Sequence, residues 1–287
     1  MSDESLAMSR PDPPAPAPPL LTVAGISVRF AGVKALTDVS FSVYRGALFA
    51  VIGPNGAGKT SLFNVLSRVY QPAAGQVTFD GRDLLRLKPH QVARAGIART
   101  FQNLGQFPTM TVLDYLLLGR HTRMRSGIVL GGLYLGPTSR EEKKNRAYCL
   151  HLLDIIGLQR LHNHPLGSLP FGLQKRADIA RALALEPKLL LLDEPVAGMG
   201  SEETEDIAAV ILDIKEQLGI TQILVEHDMA LVMGIADRVL VLDFGRVIAQ
   251  GTPTDVQANP DVVKAYLGEE FEQNAADSLS IPTDSSR

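Results

Sequence analysis

The chain has 287 residues, 45% of them hydrophobic and 21% charged, with a formal net charge of −3 and a pI near 6.1. That is enough for one α/β domain with lobes, and the charge balance offers no basic field for a nucleic-acid partner. The single cysteine, Cys149, excludes an internal disulfide; the apolar run Gly127 to Gly136 is far short of the roughly 20 residues a bilayer-spanning helix needs, and nothing has the pattern of a signal peptide, so a cytoplasmic location is expected.

Residues 1–19 carry Pro11, Pro13, Pro14, Pro16, Pro18 and Pro19, a composition that resists helix and sheet and predicts a disordered leader. From Leu20 to Phe30 and from Leu36 to Tyr44 apolar positions alternate, as in Val39, Phe41 and Val43, which predicts half-buried strands around the turn Ala31-Gly32-Val33. The apolar run Ala47 to Ile52 then leads into Gly53-Pro54-Asn55-Gly56-Ala57-Gly58-Lys59-Thr60-Ser61, and a helical pattern runs from Leu62 to Val69. A strand, a glycine-rich turn and a helix are what a phosphate loop requires. Glycines let backbone N–H groups converge on an anion, Lys59 reaches the outer phosphates, and the Thr60 hydroxyl can serve Mg²⁺. A short strand at Val77 to Phe79, a turn at Asp80-Gly81, a helix around Pro89 to Ala95 and a strand at Ile97 to Phe101 follow.

From Thr111 to about Leu185 the pattern is helical: Val112, Tyr115 and Leu116 form one stripe, and Cys149, Leu152, Leu153 and Ile156 another. Cys149 on that stripe reads as a packed thiol. Arg120, His121, Arg123 and Arg125 read as a solvated basic face, with lipid headgroups or a membrane partner as the alternative, and His162-Asn163-His164 reads as a loop. Leu189 to Leu192 is an unbroken apolar run, as in a strand buried on both faces; Ile207, Ile211, Ile214 and Leu218 keep helical spacing, and strands are predicted at Ile223 to Val225 and Val239 to Leu242. Strands alternating with helices imply a mainly parallel sheet with its ligand at the strands' carboxyl ends. Beyond Tyr266 a frayed acidic, serine-rich tail is expected.

Four further positions complete the predicted chemistry. Asp193 closes the buried strand and can hold Mg²⁺ through water, while Glu194 can orient and deprotonate an attacking water. His227, at the end of another strand, can contact a γ-phosphate. Gln102 can bind Mg²⁺ or water and report nucleotide to the helical lobe.

In their order these motifs resemble the ATPase subunits of ABC transporters, over about residues 20–268. The resemblance implies an α/β P-loop NTPase fold with a mainly parallel core sheet, an antiparallel β lobe and a helical lobe at about 104–186, with residues 269–287 as a flexible tail. It also implies ATP and Mg²⁺ as ligands, with Phe30 placed to stack on adenine. The signature segment, normally Leu-Ser-Gly-Gly-Gln, reads Leu169-Pro170-Phe171-Gly172-Leu173, followed by Gln174. Its serine hydroxyl is missing and Pro170 offers no N–H. Ala197-Gly198-Met199-Gly200 likewise ends without the polar side chain usual there. In this family two ATPases pair head to tail, and each signature (here Leu169, Gly172 and Gln174) completes the partner's ATP site. A heterodimer with a normal partner would therefore keep the Lys59 site complete.

Within the family, several segments look like the larger ATPase of branched-chain (hydrophobic) amino-acid importers. These are Ile97 to Asn103, the insert from Gly119 to Arg140, the Ala197-Gly198 turn and the ending Asn259 to Gly268. That resemblance implies a second ATPase, two membrane permeases and an extracytoplasmic solute-binding protein as partners, at the cytoplasmic face of the membrane. A lipopolysaccharide-exporter ATPase is the alternative within transport, and a soluble ABC protein acting on ribosomes or DNA the alternative outside it.

Overall fold

A computed structural model describes residues 18–30, 32–101, 107–120 and 137–266. Most of the leader, Ala31, the Gln102 and Asn103 positions, residues 121–136 of the insert and the tail from residue 267 lie outside the described residues.

Two sheets organise the chain. The first is antiparallel, in the order β2-β1-β4-β5, from β1 (Leu21–Phe30), β2 (Val33–Val43), β4 (Ala74–Phe79) and β5 (Arg82–Asp83). The alternation read along β1 and β2 is real: Leu21, Val23, Ile26 and Val28 turn inward with Val39, Phe41 and Val43.

The second sheet contains β3 (Leu48–Ile52), β6 (Ile97–Arg99), β7 (Leu189–Asp193), β8 (Thr221–Val225), β9 (Arg238–Asp243) and β10 (Arg246–Gly251), in the order β10-β9-β3-β8-β7-β6. Five strands run parallel and β10 closes one edge antiparallel. Every residue of β3, β7 and β8 is buried, which is why β3 and the leucines of β7 read as apolar runs without alternation.

Helices cover the parallel sheet. Helix α1 (Lys59–Leu66) follows β3 directly, and α2 (Pro89–Ala95) precedes β6. A helical lobe is built from α3 (Val112–Arg120), α4 (Pro137–Ile155) and α5 (Phe171–Leu183). Its predicted stripes meet in one core: Val112, Tyr115, Leu116, Cys149, Leu152, Leu153 and Ile156 are all buried. The chain then runs through α6 (Ser201–Leu218), α7 (Met229–Ile235) and α8 (Pro253–Gln257).

One surface reading takes a different form and another holds. Arg120, expected on a solvated face, is 6% exposed. Its Nε donates to Asn145 Oδ1 at 2.7 Å, its Nη1 to the Ala184 carbonyl at 3.1 Å and Glu186 Oε1 at 2.8 Å, and the guanidinium lies over the Tyr148 ring. A guanidinium can be buried when its planar donors all find acceptors, so Arg120 knits α3 to α4 and to the end of α5. His121, Arg123 and Arg125 lie outside the described residues. The His162-Asn163-His164 segment is a loop that supports the helical lobe. Its carbonyls at 164 and 162 accept the N–H groups of Val112 and Leu113 at 3.0 and 2.9 Å, which satisfies the start of α3.

Candidate active site

The loop from Gly53 to Gly58 connects the carboxyl end of β3 to α1 in the middle of the parallel sheet. Its path depends on glycine at two points. Gly53 has φ 148°, and a Cβ there would sit 2.0 Å from the Leu242 carbonyl oxygen; Gly58 has φ 105°, with a Cβ 2.6 Å from the Ala35 carbonyl oxygen. The neighbouring β9–β10 turn presses on the loop from outside, where the Gly245 N–H donates to the Ala57 carbonyl at 3.0 Å. Lys59 is 7% exposed and its Nζ donates to the carbonyls of Gly53 and Pro54, folding the ammonium back over the loop.

A cavity of about 340 Å³ opens here, lined by Asn55, Gly56, Ala57, Gly58, Lys59, Thr60 and Ser61 together with Glu194. The phosphate loop and the expected base therefore share one cavity. Val33, Lys34, Ala35 and Phe244 complete its wall, none of which stood out in the sequence. A larger cavity of about 450 Å³, near Asp80, Arg94 and Lys188, lies at the amino ends of β6 and β7 and includes none of these residues.

Glu194 leaves β7 at φ 47°, a left-handed conformation that costs a non-glycine residue free energy and is found where a side chain must be aimed. Its N–H is fixed by the Val225 carbonyl at 3.0 Å, and Lys175 of α5 reaches its carbonyl at 3.4 Å. Asp193, 1% exposed, accepts from Arg99 Nη2 at 2.6 Å on Oδ2, while its Oδ1 has no hydrogen-bond partner among the described residues. Neither Asp193 nor His227 lines the cavity, but a buried carboxylate oxygen with no hydrogen bond suits a hard divalent cation held directly or through water. Thr60 and Asp193 are the residues present that would hold Mg²⁺.

His227 stands one residue beyond Glu226 at the exit of β8, its side chain 61% exposed. The β7–β8 pairing sets Asp193 opposite Val225, so the carboxylate pair and the histidine leave neighbouring strands at one level. Glu226, which no motif in the sequence singles out, is 0% exposed and accepts the N–H groups of Val196 at 3.0 Å and His227 at 3.1 Å. Burial foremost, with Glu194 adding to it, holds its carboxyl above the ordinary carboxylate range against those two hydrogen bonds. A carboxylate next to the anticipated histidine was the available signal.

Phe30 ends β1, 41% exposed, with its ring edge-on to Tyr70 at 4.7 Å. It does not line the cavity, whose wall begins three residues later at Val33. The altered signature opens α5, with Pro170 as its N-cap and Phe171 half exposed. Gly172 is buried beneath Glu203, whose carboxylate would stand 3.0 Å from a Cβ there. The Gln174 amide turns back to the Leu169 carbonyl at 2.8 Å.

The model of the ABC transporter family matches residues 36–197, which span the phosphate loop, the altered signature and Asp193-Glu194. The chain belongs to the ABC transporter family of ATP-binding cassettes. It is an ATPase. A second model, "Branched-chain amino acid ATP-binding cassette transporter", matches residues 246–272. This cassette is 41% identical over 252 residues to the high-affinity branched-chain amino acid transport ATP-binding protein BraF of Pseudomonas aeruginosa, covering 88% of this chain and 98% of the relative. It is 39% identical over 251 residues to LivG of Escherichia coli strain K12, with the same coverage. A crystal structure of an ABC transporter cassette in its ADP conformation superposes with a TM-score of 0.78 at 32% identity, covering 88% of this chain and all of that one; a nucleotide-free cassette gives 0.76 at 32% identity, covering 86% and 98%. The predicted α/β cassette fold, parallel core and antiparallel lobe hold. Among the described residues no helix is long and apolar enough to cross a membrane.

Proposed function

We propose that residues 20–268 form a cassette that powers an importer of branched-chain or related amino acids, working beneath two permeases with a second ATPase and an extracytoplasmic solute-binding protein. The observation that carries the reading is the single cavity shared by Lys59, Thr60 and Glu194. The likeness to BraF and LivG, with the match at residues 246–272, supports the choice of solute class over an exporter's ATPase.

In this reading the loop amides and Lys59 hold the phosphates, and Lys59 exchanges its carbonyl partners for phosphate oxygens. Mg²⁺, when bound at Thr60 and Asp193, supplies neutralisation of phosphate charge. Glu194 accepts a proton from water as the water oxygen bonds to the γ-phosphorus and the bond to the bridging oxygen breaks, releasing phosphate and ADP. His227 contacts the γ-phosphate, Gln102 relays its presence to the helical lobe, and Phe30 meets the adenine. Two bound ATP molecules close the paired cassettes, and loss of the γ-phosphate reopens them.

The signature of this chain acts on the partner's ATP. Pro170 and Phe171 weaken it there, while the Lys59 site stays complete if the partner carries an intact signature. The test is phosphate release by this chain alone and with the second ATPase. Slow turnover alone and faster turnover when paired is the expected result; brisk turnover by the isolated chain contradicts the heterodimer. Solute uptake by the reconstituted transporter, supplied with leucine, isoleucine or valine, tests the substrate class.

A further inference from the structure

Glu226 belongs to none of the motifs above, yet it is fully buried between Glu194's loop and His227. Burying an acidic side chain at 0% exposure is unfavourable unless its oxygens are bonded, and among the described residues no lysine or arginine pairs with it. Its two oxygens are instead divided between two loops. Oε1 accepts the Val196 N–H at 3.0 Å, two residues after Glu194; Oε2 accepts the His227 N–H at 3.1 Å and faces His227 Nδ1 at 3.7 Å. The preceding residue contributes as well, since the Val225 carbonyl takes the Glu194 N–H at 3.0 Å. Consecutive residues at the exit of β8 thus grip the Glu194 loop twice, and one of them also grips the histidine.

We infer that Glu226 is a positioning residue: it fastens the loop that aims Glu194 to the loop that carries His227, so that both sides of the γ-phosphate site are set together. This rests on the roles proposed for Glu194 and His227. A purely structural Glu226, present only to satisfy two buried amides, would affect stability and leave turnover of the folded protein alone.

Glu226→Gln separates the two. The carboxamide has the same shape but one acceptor oxygen, so one of the two amides meets an NH₂ donor. In the full chain paired with its second ATPase, the expected result is a kcat reduced about tenfold or more, with KM for ATP and the affinity for a fluorescent ATP analogue within about twofold of the parent. Hydrogen exchange is expected to quicken at the segments holding Val196 and His227 together, and to stay unchanged in the phosphate loop. A kcat within about twofold of the parent, or exchange that quickens at only one segment, overturns the inference. Should Glu226→Gln fail to fold, Glu226→Asp, which keeps both oxygens on a shorter arm, is read by the same two measurements. Glu194→Gln run in parallel keeps the outcomes distinct: undiminished hydrolysis there removes the base assignment, whereas the paired exchange response still reports on Glu226.

Discussion

Arg99 Nη2 donates to Asp193 Oδ2 at 2.6 Å and leaves Asp193 Oδ1 buried with no hydrogen bond among the described residues. The guanidinium is itself held from α1, by Asn64 Oδ1 at 2.8 Å and Ser67 Oγ at 3.4 Å, and it lies over the Phe63 ring. Arg99 therefore orients the carboxylate, engaging one oxygen and leaving the other without a hydrogen bond. Arg99→Ala is expected to cost about 2–3 kcal/mol in urea denaturation, because it strands a buried charge whose partner was partly screened by solvent. Adding Asp193→Asn should recover part of that loss, and strictly additive costs would refute the coupling.

Glu194→Gln is expected to bind ATP as tightly as the parent and to release phosphate at least about 100-fold more slowly, since general-base assistance is removed while the cavity keeps its shape. Parallel equilibrium binding and phosphate-release assays check both halves.

The carboxyl of Glu226 is held above the ordinary range mainly by burial, so the folded state binds its proton more tightly than the unfolded chain does. The sign follows: its contribution favours folding most below about pH 4, the usual glutamate pKa, and is lost as pH rises through the raised value. Urea stability measured from about pH 4 to neutrality should show this component of the slope in the parent and not in Glu226→Gln.

Cys149 is fully buried against Leu152 and Leu153, and burial pushes its thiol pKa up to about 11. At neutral pH the thiolate is the reactive form and is scarce, so Ellman's reagent should modify Cys149 only after denaturation. Stoichiometric labelling of the native protein would contradict this.

Gly53→Ala is expected to destabilise the protein by about 3 kcal/mol or more, because the added Cβ meets main chain, the Leu242 carbonyl, instead of a side chain that can swing away. Thermal melts of the variant against Gly56→Ala, where the glycine has open space around it, isolate the clash from the cost of φ alone.

Much of this arrangement was legible in the residues. The phosphate loop announces itself through three glycines, a lysine and its flanks, and Leu189 to Asp193 through an apolar run ending in a carboxylate. Helix α7 escaped notice because Met229 to Ile235 is apolar on nearly every side, so no period emerges, although Asp228 caps it by accepting the Leu231 N–H. Strand β10 escaped for the opposite reason: Arg246 to Gly251 lies half in solvent at the sheet edge and owes its form to pairing with β9. The roles of Arg99, Arg120 and Glu226 are not legible in the sequence, because a charge there does not reveal whether distant polar atoms will come to meet it. Those partners lie 94, 64 and 30 residues away in Asp193, Ala184 and Val196.

The match of Asp193 with Val225 is made by main-chain atoms, so the spacing between the two loops that leave these strands is indifferent to which apolar side chains fill the interior. Trimming Leu190 or Ile223 should soften the molecule without detuning its chemistry. Deleting one residue from β8 would do the reverse of what its small size suggests, exchanging the side chains between the two covered faces of the sheet and pulling the histidine out of step with the glutamate.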